Sequence, residues 1–337
     1  MTFAAGIVFI LFSAIGFSQS KQIDFAPIDR NVLAIDDVSP ASLSYKLTVP
    51  YTTELEKVRA IFKWIAEHIA YRIYIPSRKW NNSHVHYEEP DDDQPLKPLN
   101  ERVSLLVLKR RTAICDQYAR LFKTLCDYAG LCSEIITGYA KPNNRSAKRF
   151  GSNHSWNAVQ IDGVWRLLDV TWASGVISFS GREFIKQFDE FYFLTPPEFF
   201  IRDHYPEDLR WSLLQEPPTL REFANSPFKY SGFIKTSITS MSPAKGIIET
   251  FVGDTVKIEL ETKNAIINFF VTDTYPDDLS VIEPSTSVLS TDKKHRIDYI
   301  PSSIQSEWLY VVLNEELVLR YKLKFRKEEI GYANKHE

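Results

Sequence analysis

The sequence predicts an α+β domain followed by a separate all-β sandwich. Apolar residues recur at helical spacing in the first third of the chain, and an Asp-Gly dipeptide at residue 162 joins two strand-like runs. From residue 229 onward, polar and apolar residues alternate instead. A chain of 337 residues is long enough for two domains. The predicted order is a leader at 1–20, an α+β domain at 21–222 and a β-sandwich domain at 226–330.

The composition excludes some classes of protein. With 44% hydrophobic and 25% charged residues, the chain has the balance of a globular protein that buries a core. A net charge of -3 gives no basic field for binding nucleic acid. The aromatic content of 13% favours packed cores and surfaces that bind peptides over disorder.

The N-terminus reads as a secretory leader. Residues 3–15 form one apolar run, followed by small and polar residues at 16–20. The run is short for a membrane span and suits a signal peptide, although no Lys or Arg precedes it. We therefore expect export to the periplasm or the cell exterior, with an uncleaved membrane anchor as the alternative.

The first domain is predicted to begin with an extended lead-in over residues 21–50. A helix then starts at the capping-box pair Thr53 and Glu56. Its apolar face is formed by residues three and four apart, namely Leu55, Val58, Phe62, Ile65 and Ile69. A short helix is expected over 101–109, and a third from about residue 115 to residue 129, stopped by Gly130.

The sequence predicts neither a metal site nor a cofactor. His84, His86 and the acidic residues after them lie in a polar loop, 76–98, where no helix or strand spacing directs them to one point. No pair of Cys-x-x-Cys motifs is present. Cys126 and Cys132 could pair, or could serve as small apolar residues in the core.

A hairpin brings a histidine and a carboxylate together. If Asp162-Gly163 is a two-residue turn, Ile161 pairs with Val164. Extending that register places Thr171 opposite His154 and puts Asp169 on the same face as His154, as its diagonal neighbour. Diagonal neighbours have Cα atoms about 7–8 Å apart, within reach of these side chains. A carboxylate in that position can fix the tautomer of the imidazole and stabilise its charged form.

Cys115 begins the third predicted helix. At a helix N-terminus, the dipole and the free N–H groups lower the pKa of a thiol and can stabilise an oxyanion. A lone cysteine there would more often be structural. The sequence by itself does not place Cys115 beside His154.

The motifs around these residues resemble the transglutaminase-like superfamily. Residues 111–140, which contain Cys115, are followed by His154-Ser-Trp-Asn and then by Asp169-Val-Thr-Trp. The family shows Cys, His-x-Trp-Asn and Asp-x-Thr-Trp in the same order and at similar spacing. The resemblance covers roughly residues 55–215, and residues 191–214 are most similar to the kyphoscoliosis peptidase group.

The resemblance implies a papain-like transglutaminase core, with a helix-borne Cys packed on an antiparallel sheet. It also implies three roles: Cys115 as nucleophile, His154 as general base and acid, and Asp169 as orienting carboxylate. The family often has Gly two residues before and after the Cys, where this chain has Ala113 and Gln117. We expect three residues near the site to contact the substrate, namely Gln117, Trp156 and Trp172. Core packing is the alternative for the tryptophans.

The alternating runs after residue 228 predict an immunoglobulin-like sandwich that binds a partner or spaces the domains. For the whole chain, two functions compete. One is a thiol enzyme that acts on amide bonds of proteins or peptides through an acyl-enzyme. Hydrolysis is favoured over cross-linking, because no amine-binding or calcium-loop signature is apparent. The other is a non-catalytic binding module of the cell envelope, which could also bind partners through the β-sandwich.

Overall fold

A computed structural model describes residues 24–73, 97–141, 151–178, 182–230, 232–264, 266–274, 288–290, 293–301 and 303–326. The predicted leader and most of the loop with His84 and His86 lie outside these residues. Within the described part of the chain, every helix is too short or too polar to cross a membrane.

The first domain is built from helices around a small antiparallel sheet. Its helices are α1 (Ala26–Val32), α2 (Pro40–Thr48), α3 (Glu54–His68), α4 (Leu99–Arg110), α5 (Cys115–Tyr128), α6 (Val170–Ala173), α7 (Pro197–Phe200) and α8 (Leu220–Asn225). Single 3-10 turns lie at Glu190–Tyr192 and Leu209–Ser212. Its strands are β1 (Ala70–Tyr71), β2 (Thr112–Ala113), β3 (Ser133–Ala140), β4 (His154–Ile161), β5 (Val164–Leu168), β6 (Gly175–Ile177), β7 (Phe184–Lys186) and β8 (His204–Pro206).

The lead-in is helical, so the prediction of an extended segment over 21–50 was wrong. Pro27 lies in the first turn of α1, and Pro40 is the first residue of α2. There the missing N–H costs nothing, because those N–H groups lack intrahelical partners anyway. The side chain of Ser39 accepts from the backbone N–H of Ser42 and caps α2. Proline and serine thus start these helices rather than prevent them.

Helix α3 begins as predicted. Thr53 accepts from the backbone N–H of Glu56, and the Glu56 carboxylate accepts from the backbone N–H of Thr53. One face of α3 then packs into the main core with α1, α2 and α5. Helix α5 lies across the other side of that core and contacts β3 and β4. The first residue of α5 thus lies near the N-terminal end of β4.

The sheet has the strand order β5-β4-β3-β8 and is antiparallel throughout. The predicted hairpin is confirmed, since Ile161 pairs with Val164 and the register holds to Asn157 opposite Leu168. Asp162 and Gly163 both have positive φ, 50° and 77°, as a type I′ turn requires. The prediction was wrong beyond Leu168. There the chain leaves the sheet and turns into α6, so Thr171 does not pair with a strand residue.

The second domain is a sandwich of two sheets, ordered β10-β12-β15-β14 and β11-β17-β16-β13, with β9 beside β17. A short helix, α9 (Gly232–Lys235), lies between β9 and β10. Its strands are β9 (Phe228–Lys229), β10 (Ile238–Ser242), β11 (Ile247–Thr250), β12 (Val256–Thr262), β13 (Phe269–Thr272), β14 (Val288–Ser290), β15 (Lys294–Tyr299), β16 (Trp308–Leu313) and β17 (Glu316–Phe325).

Residues from the inner faces of both sheets form one hydrophobic core, which is separate from that of the first domain. Strand β12 shows the alternation on which the prediction depended, with buried Val256, Ile258 and Leu260 separated by exposed residues. The fold-class prediction, an α+β core followed by an all-β sandwich, is therefore confirmed.

Candidate active site

Cys115 is the first residue of α5, at the end of the short strand β2. The side-chain oxygen of Gln117 accepts from the backbone N–H of Ile114 at 3.1 Å and fixes the turn into the helix. Tyr118 is buried, and its hydroxyl donates to the carbonyl of Ile69 at 2.7 Å. The start of α5 is thus held on both sides, while Cys115 itself stays partly exposed.

His154 is the first residue of β4 and is buried. Strand β4 is tied to α5 through Asn157, whose side-chain amide donates to the carbonyl of Ala119 at 3.0 Å and to that of Glu134 at 3.1 Å. A buried amide with two acceptors fixes strand against helix. It therefore sets the position of His154 relative to Cys115.

Asp169 is fully buried and occupies the N-cap of α6. Its Oδ1 accepts from the backbone N–H groups of Thr171 at 2.8 Å and Trp172 at 3.1 Å. Its Oδ2 lies 2.7 Å from Nε2 of His154. The predicted His–Asp pair therefore forms, although a helix cap and not a strand register holds the carboxylate. Since Nε2 faces Asp169, Nδ1 is the ring nitrogen left for the thiol.

The thiol of Cys115 lies beside the imidazole of His154, close enough for each group to shift the pKa of the other. Burial opposes a thiolate, but the hydrogen bond and charge of His154, with the backbone N–H of Ser155, lower the pKa of Cys115 below its ordinary value. Burial likewise opposes an imidazolium, yet Asp169 and Cys115 together raise the pKa of His154 to about 10. The electrostatics favour a thiolate–imidazolium pair. The structure thus brings Cys115, His154 and Asp169 together.

A second histidine lies beside the same carboxylate, and sequence reasoning missed it. His204 is fully buried, with Nε2 at 2.9 Å from Oδ2 of Asp169 and Nδ1 at 2.6 Å from Oδ1 of Asp203. It belongs to β8, where it pairs with Ala140 of β3. Gly138 makes this possible, because a Cβ there would collide with the backbone of Tyr205.

A signal for this pair was present in the sequence. An Asp-His dipeptide stands among Phe199, Phe200, Ile201 and Tyr205. Charged side chains within an aromatic run are rarely buried unless they are paired with each other or with a third group.

The predicted substrate contacts have different outcomes. The Trp156 side chain is 1% exposed and packs behind His154, so the expectation that it contacts substrate is corrected to core packing. Gln117 uses its side-chain oxygen as a helix cap. Trp172 is partly exposed and lies 5.5 Å from the His154 ring, which leaves it able to line a cleft. Cys126 is buried and Cys132 exposed, and neither is in a disulfide.

Metal binding would compete with this hydrogen-bond network. Among the described residues, the ligand-type atoms of His154, Asp169 and His204 lie within 4.8 Å of one another. Both imidazole nitrogens that face Asp169 are already engaged with its Oδ2. An ion would have to replace these hydrogen bonds, and we assign no metal site here.

A family model described as the transglutaminase-like superfamily matches residues 41–170, the segment that runs from α2 through Asp169. The first domain is transglutaminase-like. The matched segment carries the cysteine, histidine and aspartate just described, and it ends one residue after the aspartate. His204 lies beyond the matched segment, on the strand that completes the sheet of the transglutaminase-like domain.

Relatives of the transglutaminase-like domain occur within longer proteins. The kyphoscoliosis peptidases of Mus musculus and Homo sapiens are 36% identical over 211 residues, which is 61% of this chain and 29% of each relative. Hillarin of Drosophila melanogaster is 31% identical over 251 residues, or 69% of this chain and 28% of hillarin. The chain therefore spans less than a third of these relatives. A solved transglutaminase structure is similar at a TM-score of 0.23 and 16% identity, over 52% of this chain and 38% of the other.

Proposed function

We propose that this protein is a thiol enzyme that cleaves amide bonds of proteins or peptides, with Cys115 as nucleophile, His154 as acid and base, and Asp169 as orienting carboxylate. The observation that carries the proposal is the continuous line of contacts from the thiol to the imidazole and on to the buried carboxylate. Each partner in that line has the chemical type and the order that acyl transfer through a cysteine requires.

The reaction follows from this arrangement. The Cys115 thiolate attacks the carbonyl carbon, and the backbone N–H groups of Cys115 and Asp116 at the N-terminus of α5 can donate to the oxyanion. The His154 imidazolium then gives its Nδ1 proton to the leaving amine as the C–N bond breaks. Water, deprotonated by the neutral imidazole, attacks the thioester and releases the acid with the free thiol.

Hydrolysis and cross-linking differ only in the second substrate, which is water or an amine. We favour hydrolysis, as the word peptidase in the name of the kyphoscoliosis relatives suggests. Turnover of an amide substrate in the presence of a labelled primary amine separates the two reactions. A hydrolase releases mainly the free acid, whereas a cross-linking enzyme incorporates the label into the acyl product.

The decisive test measures the reactivity of the three cysteines. Iodoacetamide should alkylate Cys115 at neutral pH at least about 10-fold faster than Cys132, because thiolate rather than thiol is the nucleophile. Cys132 is exposed and Cys126 buried, so they serve as internal controls for an ordinary and a shielded thiol. The His154→Gln variant should remove the advantage of Cys115. A non-catalytic binding module is indicated if Cys115 reacts no faster than Cys132.

We also propose that residues 1–20 direct export and that the immunoglobulin-like second domain binds a partner at the cell envelope. N-terminal sequencing of the mature protein from a secreting host tests the first part. A mature chain that still starts at Met1 would contradict cleavage of a leader.

A further inference from the structure

The histidine that the mechanism leaves unused, His204, lies at the centre of a buried line of polar groups. The line runs from His154 through the carboxylate of Asp169 to His204, and from there to Asp203. It ends at Tyr192, whose hydroxyl donates to Oδ2 of Asp203 at 3.2 Å. All five side chains are buried, so the protein alone determines their charges.

The hydrogen-bond geometry favours a doubly protonated His204 ring. Both of its ring nitrogens face a carboxylate oxygen, at 2.9 Å on Asp169 and 2.6 Å on Asp203. A carboxylate only accepts, so each nitrogen has to donate, and an imidazole that donates from both nitrogens is a cation. Oδ2 of Asp203 also accepts from the hydroxyl of Tyr192.

The aromatic surroundings of His204 would stabilise a cation. The ring of Phe200 stacks on His204 with centroids 4.3 Å apart, and those of Trp172 and Trp156 lie at 4.5 and 5.1 Å. The ring of Tyr192 lies at 5.9 Å. Aromatic faces within about 6 Å attract a cation through their quadrupole, most strongly where water is excluded.

We propose that His204 is a positioning residue for the Cys115–His154 pair: a permanent imidazolium, held between Asp169 and Asp203, that aims Oδ2 of Asp169 at His154 and places a positive charge behind the site. The proposal rests on the proposed function, since only a reacting Cys115 gives that charge a task. His204 acts through Asp169 and touches neither the thiol nor the substrate.

This arrangement predicts how the site responds to the charge on His204. The titratable groups facing His204 are Asp169, Asp203, His154, with ring centroids 5.3 Å apart, and Tyr192 through Asp203. A positive charge on His204 favours the thiolate of Cys115 and disfavours a second proton on His154. Removing the charge should therefore move both limbs of the pH profile of Cys115 reactivity to higher pH.

Nitrogen-15 NMR of the full chain with labelled histidine measures the protonation of His204 directly. We expect both ring nitrogens of His204 to stay protonated from pH 6 to pH 8.5. The resonances are assigned by their loss in His204→Gln and, should that variant not fold, by their shift in Phe200→Leu, which changes the ring stacked on His204. Loss of one proton within that pH range, as in an ordinary histidine, would overturn the proposal.

The pH profile of Cys115 alkylation tests the positioning role. His204→Gln retains a donor toward Asp169 but carries no charge, and its acid limb should move up by about one pH unit. His295→Gln, in the second domain, is the matched control and should leave the profile in place. If a folded His204→Gln has the wild-type profile, the proposal is wrong. If wild-type Cys115 itself titrates like a free thiol, the proposed enzyme function is wrong, whereas the NMR experiment still tests the protonation of His204 by itself.

Discussion

At the residue scale, Oδ2 of Asp169 accepts hydrogen bonds from both His154 and His204. A single substitution tests the importance of this carboxylate. Asp169→Asn retains an acceptor but turns an amide group toward imidazole N–H donors. We expect the alkylation advantage of Cys115 to fall by at least about 10-fold, because His154 loses its charged partner. The free energy of unfolding should fall by about 2–4 kcal/mol, since buried donors lose their acceptor. Urea denaturation and iodoacetamide labelling measure the two effects.

The matched control for this change is Asp189→Asn. Asp189 caps the 3-10 turn at Glu190–Tyr192 by accepting from the backbone N–H of Phe191 at 3.0 Å. Asparagine caps as well as aspartate, so the control should change stability by no more than about 0.5 kcal/mol.

The loss of unfolding free energy in Asp169→Asn should depend on pH with a definite sign. Burial opposes the charged form, but His154 and His204 together hold the pKa of Asp169 well below its usual range. A carboxyl with a lowered folded pKa stabilises the fold above its unfolded pKa, about 4, and loses that contribution as the pH falls. The deficit of Asp169→Asn should therefore be complete at pH 7 and shrink below about pH 4. A deficit that grows in acid would contradict an ionised Asp169.

At the scale of the secondary-structure elements, Arg59 joins three of them. Its guanidinium is 2% exposed and forms hydrogen bonds with both oxygens of Asp29 and of Glu190, which link α3 to α1 and to the 3-10 turn before the site. The rings of Phe25 and Phe193 lie 4.7 Å from its central carbon. Arg59→Met keeps the apolar packing and removes the charge. We expect the free energy of unfolding to fall by about 2–3 kcal/mol. The loss should be smaller than for a fully buried ion pair, because both carboxylates are partly exposed to solvent.

Lys123→Met is the control for Arg59→Met, because it breaks the exposed pair between Lys123 and Asp127 on α5. Pairs of that kind contribute at most about 0.5 kcal/mol. Equal losses in the two variants, measured by urea denaturation, would show that Arg59 is no more than a surface ion pair.

The elements also show how far local sequence patterns reach. The capping box of α3 and the Asp162-Gly163 turn depend on residues within a few positions of each other, and both were predictable. The same register argument failed after Leu168, because Asp169 satisfies two backbone N–H groups as a helix cap and this competes with strand pairing. Proline in the lead-in misled for a similar reason, since its meaning depends on whether a helix begins there.

At the scale of the whole molecule, the part of the site that the sequence did not predict, the contact of His204 with Asp169, is a long-range contact. His204 reaches Asp169 only because β8 adds to the sheet next to β3, where Gly138 admits its backbone. Strands far apart in the chain carry no local signal of their pairing. The contact of Cys115 with His154 is long-range as well, and only the family resemblance predicted it.

The segment 215–228 spans the predicted boundary between the two domains, at 222–226. Its two halves differ in the structure. Gln215 and Glu216 are exposed, whereas the backbone carbonyls of Ser226 and Pro227 accept from the buried amine of Lys141 at 2.6 and 3.2 Å. Phe228 then enters the second domain through its pairing with Arg320. Limited digestion with subtilisin should therefore cut within 215–219 and spare 226–229.

The nicked protein should stay together as one particle on gel filtration. Contacts that hold the C-terminal fragment to the first domain include Phe223 against Tyr205 at 5.3 Å, Phe228 against Trp172 at 6.1 Å, and Lys141 on the segment after α8. Lys141→Met leaves the partly buried carbonyl of Ser226 and the buried carbonyl of Pro227 without this donor. The loss costs about 1–3 kcal/mol for a fully buried group and less for a partly buried one. After the same cut, this variant should separate into two fragments. After the cut, the control variant Lys257→Met, changed on the exposed face of β12, should still elute as one particle like the wild type. Separation of the wild-type fragments, or a first cut within 151–178, would show that this junction does not join the domains.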